Sequence, residues 1–172
     1  FYLDFYSIER FGKTKLGQLL LYAKQSQNLD LMKEIIKIVK PKVSEIIKKY
    51  KIDGIGFIPP TVKRERQLMK ILATGLSEKN RAIFIEKAKT FVVVPQKTLT
   101  KLEDRIENAS KTIMVTETSV FKNILLIDDA VGSGSTLNET AKKIKERGIC
   151  KGKIIGLALV GSFKGFDVIS EV

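Results

Sequence analysis

The chain has 172 residues, 31 Lys and Arg against 19 Asp and Glu, a net charge of +12, one cysteine and no histidine. That length suits one domain, residues 1–172, able to bury a core, while the longest apolar runs fall well short of the ~20 residues a membrane span needs. A lone Cys150 excludes an internal disulfide framework and a cysteine zinc site, which fits a reducing, cytoplasmic setting.

The basic excess favours anionic partners: phosphorylated small molecules, nucleic acid or acidic lipid. Lysine supplies most of it and reads equally as solvated helix surface. A start at Phe1 instead of methionine reads as a piece of something longer, with a segment missing upstream.

In chain order, "LDLMKEIIKIVK" sets Leu31, Ile35, Ile38 and Val39 at helical spacing, and Val43, Ile46, Ile47 and Tyr50 repeat it beyond Pro41. Two helices are predicted before residue 51, with Pro41 in the first turn of the second, so residues 1–50 form a mainly helical part. "GIGFIPP" reads as a short strand stopped by two prolines. From Thr61 the pattern is helical again, with Leu68, Ile71, Leu72 and Leu76 on one face. "TFVVV", "NILLI" and "KIIGLALV" lack alternation, the form of parallel strands covered on both faces. The stretch from Pro95 to Thr116 has no clean period and is predicted to be a long mobile loop closing on a helical turn. Leu137, Ala141 and Ile144 mark a last helix, with Thr136 and Glu139 at capping-box spacing and Gly148 as its end. Strands alternating with helices predict an α/β fold with a mostly parallel sheet.

The stretch "ILLIDDAVGSGST", Ile124 to Thr136, drives an apolar strand into two carboxylates and then into a loop of small residues. In open α/β sheets ligands bind beyond the carboxyl ends of strands, where this loop falls. Gly132 and Gly134 free the backbone to aim N–H groups at one point, and Ser133, Ser135 and Thr136 add hydroxyls at a helix N-terminus, which together make a phosphate cradle. Asp128 and Asp129 suit sugar hydroxyls or a magnesium ion accompanying phosphates. The same residues also read as an ordinary acidic, glycine-rich turn with Ser135 or Thr136 as N-cap. A dinucleotide fingerprint fails for want of a third glycine, since Leu137 follows. "SIERFGKT" has Ser, Glu and Phe where a phosphate-binding P-loop presents bare backbone.

"ILLIDDAVGSGST" resembles the signature of the type I phosphoribosyltransferases. The likeness extends through "LGQLLLYAKQSQNLDLM", "IPPTVKRERQ" and "PQKTLTKLEDRIEN" to the ComF-like branch, associated with DNA uptake and often described as amidophosphoribosyltransferase-like. The resemblance implies that Ser133, Gly134, Ser135 and Thr136 grip the phosphate of phosphoribosyl pyrophosphate. It also implies that Asp128 and Asp129 address the ribose hydroxyls and that magnesium lies between ribose and pyrophosphate. The whole run Asp128, Asp129, Ala130, Val131, Gly132, Ser133, Gly134, Ser135 and Thr136 is assigned to this ligand, with Asp128 and Asp129 as metal-binding and catalytic candidates. The family usually has Thr-Thr-Gly where this chain has Gly132-Ser133-Gly134. Hypoxanthine-guanine enzymes carry an acid at the position of Gly132, so its absence argues against 6-oxopurine acceptors. The zinc module with which ComF-like proteins commonly begin is missing.

Lys63, Arg64 and Arg66 fall in the predicted first turns of a helix, where the macrodipole disfavours cations by a few tenths of a kcal/mol each, roughly. A bound anion reverses that, and in the type I fold the corresponding loop holds pyrophosphate, so Lys63 and Arg64 are assigned to it. Glu65 nearby leaves a solvated basic turn as the other reading. Lys97, Lys101 and Arg105 read as a lid or as contacts to a nucleic acid backbone, and Cys150 as structural.

The expected activity is displacement of pyrophosphate from phosphoribosyl pyrophosphate by a nitrogen nucleophile, with magnesium. The alternative is a DNA-uptake accessory binding single-stranded DNA with little turnover. Neither the acceptor nor the oligomeric state is legible in the sequence.

Overall fold

Three of the apolar runs become adjacent strands at the centre of a sheet. In the computed structural model, which describes residues 1–5, 7–8, 12–62, 64–77, 81–88 and 102–161, these strands are β4 (Gly54–Phe57), β8 (Ile124–Val131) and β9 (Ile154–Gly161). With β1 (Tyr2–Phe5) outside β9 and β5 (Arg81–Ile83) outside β4, the order is β1-β9-β8-β4-β5, and every pairing is parallel. The predicted strand at 90–94 lies outside the described residues. Two short antiparallel pairs stand apart: β2 (Ser7–Ile8) with β3 (Gly12–Lys13), and β6 (Ile85–Lys87) with β7 (Ile113–Val115).

The lack of alternation in the central runs has the expected cause. Successive residues of a strand face opposite sides, and here both sides are covered. Leu125 and Ile127 pack with α1 (Lys15–Ser26), α2 (Leu29–Tyr50) and α3 (Leu68–Leu76), whereas Ile124 and Leu126 pack with Phe121, with Ile144 of α5 (Ser135–Glu146) and with the β6–β7 pair.

Three predicted boundaries are corrected. The two helices before residue 51 are one 22-residue helix, α2, with Pro41 inside it. A proline there removes a hydrogen bond and costs about 3 kcal/mol in a helix interior. Pro41 is exposed and Lys37, whose carbonyl loses its donor, is exposed too, so water can serve that carbonyl. The continuous buried stripe Met32, Ile35, Val39, Val43 and Ile46 offsets the cost, at roughly 1.5–3 kcal/mol for each large apolar side chain buried. Within the predicted mobile loop, residues 102–112 form the helix α4 (Leu102–Thr112) and 113–115 form β7. Glu103 and Asp104 in the first turn and Lys111 in the last complement the dipole of α4. The helix predicted from Thr61 begins only at Leu68.

The rear of the sheet, at the strands' amino ends, is clamped by two side chains. Asn123 donates its amide to the carbonyls of Tyr50 and Lys51 (3.0 and 3.3 Å) and accepts the N–H of Lys153 (2.8 Å). The Asp53 carboxylate accepts the N–H groups of Asn123 (2.8 Å) and Lys122 (2.9 Å). Burial raises its pKa, but those hydrogen bonds and Arg81 outweigh burial and hold it below the ordinary value. Beside them Gly54 leaves room for the Phe121 ring, which a Cβ at that position would strike.

Candidate functional site

The opposite end of β8 carries the acidic pair. The strand does not stop before Asp128 as predicted. It pairs on with β9 through Asp128↔Ala158, Ala130↔Val160 and Val131↔Gly161, so Asp128 to Val131 belong to the sheet and only Gly132 to Gly134 form the turn. Gly134 alone of these glycines takes a left-handed conformation, with φ 77°, which disfavours any residue with a Cβ by about 1–2 kcal/mol.

The α5 helix then starts at Ser135, one residue before the predicted cap. Gly134 is its N-cap and no side chain caps it, so the Thr136–Glu139 capping box is not formed. Instead the Ser133 and Ser135 hydroxyls lie 3.1 Å apart across the turn. The first-turn N–H groups of any helix have no earlier helical carbonyl to bond, and that of Ser135 in α5 turns to the Ser133 hydroxyl at 3.5 Å. At the other end Gly148 closes the helix as predicted. It has φ 67°, its N–H reaches the Lys145 carbonyl, and the Ile149 N–H reaches the Ile144 carbonyl, the pattern of a Schellman motif.

A cavity of about 710 Å³ opens above this turn. Asp128 to Leu137 form one wall, and the stretch from Ile58 to Val62 with Arg64, Arg66 and Gln67 forms another. The structure therefore brings Asp128, Asp129, Ala130, Val131, Gly132, Ser133, Gly134, Ser135, Thr136 and Arg64 to one place. Lys63, Lys97 and Lys101 lie outside the described residues, as does the side chain of Arg105.

Arg64 reaches the cavity on a loop, not in the first turns of a helix. Gln67 turns back to donate its amide to the carbonyls of Val62 and Arg64 (both 3.2 Å), and the Arg66 N–H bonds to the Gln27 side chain (2.9 Å). These bonds hold Val62, Arg64 and Arg66 outside the helix, which begins at Leu68, and the macrodipole argument does not apply to them.

Two lysines that sequence reasoning missed also line the cavity. Lys24, in the last turn of α1, places Nζ 2.7 Å from Oδ2 of Asp129, and Lys87 of β6 donates to the Thr61 hydroxyl. Burial and the neighbouring charge of Asp129 push the Asp128 carboxyl up to about 7, although the Asp129 N–H, Lys24 and Lys87 act the other way. Burial lowers the Lys87 pKa, opposed by both carboxylates. The cavity thus holds two carboxylates faced by two ammonium groups, next to a glycine turn at a helix N-terminus. That arrangement can take a phosphate on the turn and hydroxyls or a hard cation on the acids.

Comparison with known proteins bears on the fold. No protein-family model matches the chain, and no curated protein sequence does. Among solved structures it is similar to an adenine phosphoribosyltransferase, with 14% identity over 80% of this chain and 72% of that one and a TM-score of 0.50. A hypoxanthine-guanine phosphoribosyltransferase of Bacillus anthracis matches with 16% identity over 81% and 77%, at a TM-score of 0.49. An adenine phosphoribosyltransferase of Leishmania tarentolae matches with 11% identity over 86% and 88%, at a TM-score of 0.47. At these identities the shared property is architecture: the five-stranded parallel sheet flanked by helices is the type I phosphoribosyltransferase fold.

Proposed function

We propose that the protein binds phosphoribosyl pyrophosphate with magnesium and transfers phosphoribose to a nitrogen nucleophile, releasing pyrophosphate. The observation that carries this reading is the acidic pair ending β8, followed at once by the turn into α5, on a cavity that also holds Arg64. Ser133, Gly134, Ser135 and Thr136 hold the sugar's phosphate. Asp128 and Asp129 take the ribose hydroxyls, and Arg64, on the cavity wall, takes the pyrophosphate.

Magnesium fits this donor set as a co-ligand of the phosphates. Among the described residues there is no group of three or more metal-ligating side chains, and magnesium characteristically binds through one or two carboxylates plus phosphate oxygens and water. Asp128 and Asp129 would hold it, and when bound it supplies charge neutralisation for the departing pyrophosphate.

In the reaction a bond forms from nitrogen to the anomeric carbon as the bond from that carbon to pyrophosphate breaks, the electron pair leaving with pyrophosphate. The chain has no histidine, so whichever of the two carboxylates, Asp128 or Asp129, is not on the metal takes up the proton that nitrogen gives up. The protein otherwise contributes positioning and electrostatics. Calorimetric titration with phosphoribosyl pyrophosphate is expected to give binding that depends on magnesium; absence of binding with and without the metal would overturn the reading.

A second reading, a ComF-like accessory on single-stranded DNA, draws support from the rear of the sheet. The main chains of Lys51 and Lys153 bond directly to the Asn123 side chain, Lys122 adjoins it, and Lys151 bonds to Phe121. All four lysines are exposed. Binding there should weaken steeply with salt, by roughly 0.7 log units in affinity per phosphate contact for each log unit of salt. Oligonucleotide titrations at two salt concentrations check this, and a flat response would remove the DNA reading.

A further inference from the structure

We propose that Lys24 keeps divalent metal off the acidic pair until the phosphorylated ligand arrives, so that metal and ligand load together; this rests on the phosphoribosyl reading of the cavity. The Lys24–Asp129 pair differs in kind from the ion pairs on helix surfaces. The pairs Lys33–Asp30, Lys42–Glu45, Lys111–Glu107 and Lys142–Glu146 join neighbours three or four apart on one helix, with both side chains more than half exposed. Such pairs contribute between about 0 and 1 kcal/mol. Lys24 and Asp129 are 105 residues apart, at 2.7 Å, with side chains only 23% and 16% exposed. The fold brings α1 and the end of β8 together at this point, inside the cavity wall.

Its consequence is electrostatic. In the free protein the ammonium of Lys24 occupies Oδ2 of Asp129, one of the oxygens a metal would use. Lys87 faces the same carboxylates from β6, and Arg64 and Arg66 line the cavity from the loop after β4. A bare dication entering this ring would meet cations from three separate elements and would have to displace Lys24 into them. A ligand carrying phosphates changes the balance, because its oxygens give Lys24 a new partner as the metal takes Asp129. Lysine suits such an exchange, being a compact charge on a flexible four-carbon stem. The position of Lys24 in the last turn of α1, where the dipole favours a cation, holds it near the site in either arrangement.

The test uses Mn²⁺ as the probe, followed by electron paramagnetic resonance on the folded chain without any sugar ligand. Wild type is expected to bind Mn²⁺ weakly, and Lys24→Met at least tenfold more tightly. Lys24→Arg, which keeps the charge, should stay near wild type. Adding Asp129→Asn to Lys24→Met should erase the gain. Lys24→Gln carries the same expectation as Lys24→Met and replaces it if methionine disturbs α1. Equal Mn²⁺ affinity in wild type and both neutral variants would overturn the proposal. So would Mn²⁺ binding to wild type alone as tight as in the presence of phosphoribosyl pyrophosphate. Because the metal arm needs no sugar, failure of phosphoribosyl pyrophosphate to bind would remove the reading of the ligand while the Mn²⁺ comparison still decides on Lys24.

Discussion

Replacing Asp128 and Asp129 together by asparagine is expected to weaken magnesium-dependent binding of phosphoribosyl pyrophosphate at least tenfold, about 1.4 kcal/mol. The amides keep the size and the acceptor oxygens of the acids, so contacts to ribose hydroxyls survive in part. What disappears is charge, and a hard dication binds neutral amide oxygens far less well than carboxylates. The double change also strands Lys24, whose partner at 2.7 Å is lost, and leaves its ammonium and that of Lys87 facing the incoming metal. Calorimetry on the variant and wild type under the same magnesium concentration measures the difference. Equal affinities would remove these carboxylates from the ligand's surroundings.

The single change Asp128→Asn should also raise stability at alkaline pH. Asp128 has a folded pKa of about 7 against an ordinary 3.8, so between those values the folded chain holds a proton that the unfolded chain has released. Its contribution to stability is fully present below pH 3.8 and is lost as pH rises through 7. Asparagine has no proton to lose. At pH 8 the variant is therefore expected to melt above wild type, and the gap should close towards pH 4. Each kcal/mol recovered corresponds to about 2–4 °C in a chain of this size. Thermal unfolding followed by circular dichroism at pH 4, 6 and 8 measures it. A variant less stable than wild type at pH 8 would mean that Lys24 and Lys87 overcome the burial of the ionised acid. Binding lost when the acidic pair is removed, beside stability gained when Asp128 alone is neutralised, is the expected mark of a site kept at some expense to the fold.

The centre of the sheet was legible because burial on two faces leaves a direct trace in composition. "GIGF", "NILLI" and "IIGLALV" have no polar face to alternate with, and they became β4, β8 and β9 side by side. The acidic pair and glycine turn were legible for a different reason, since chemistry confined to thirteen consecutive residues of sequence needs no knowledge of the fold. Lys24 and Lys87 carry no such trace. Each is one lysine among many, and only the packing of α1 and of the β6–β7 pair against the sheet gives it a carboxylate to face. Pro41 misled because the local cost of proline was weighed without the buried stripe that runs past it on both sides. The helix expected from Thr61 misled because the side chains of Gln67 and Gln27 bond to the backbone of Val62, Arg64 and Arg66, a solution with no periodic signature. The strands β6 and β7, at three residues each, are too short for alternation to register.

The clamp at Asn123 and Asp53 makes β8 a lever with a fixed fulcrum. Gly54, Ile124 and Ile154 stand abreast at that end, and any sliding of one strand past another would have to break several side-chain bonds to the backbone at once. Rearrangement on filling the cavity is thereby confined to the far tip, where the glycine turn can swing while the strand register stays locked. A ligand's binding energy is then not dissipated in shearing the sheet.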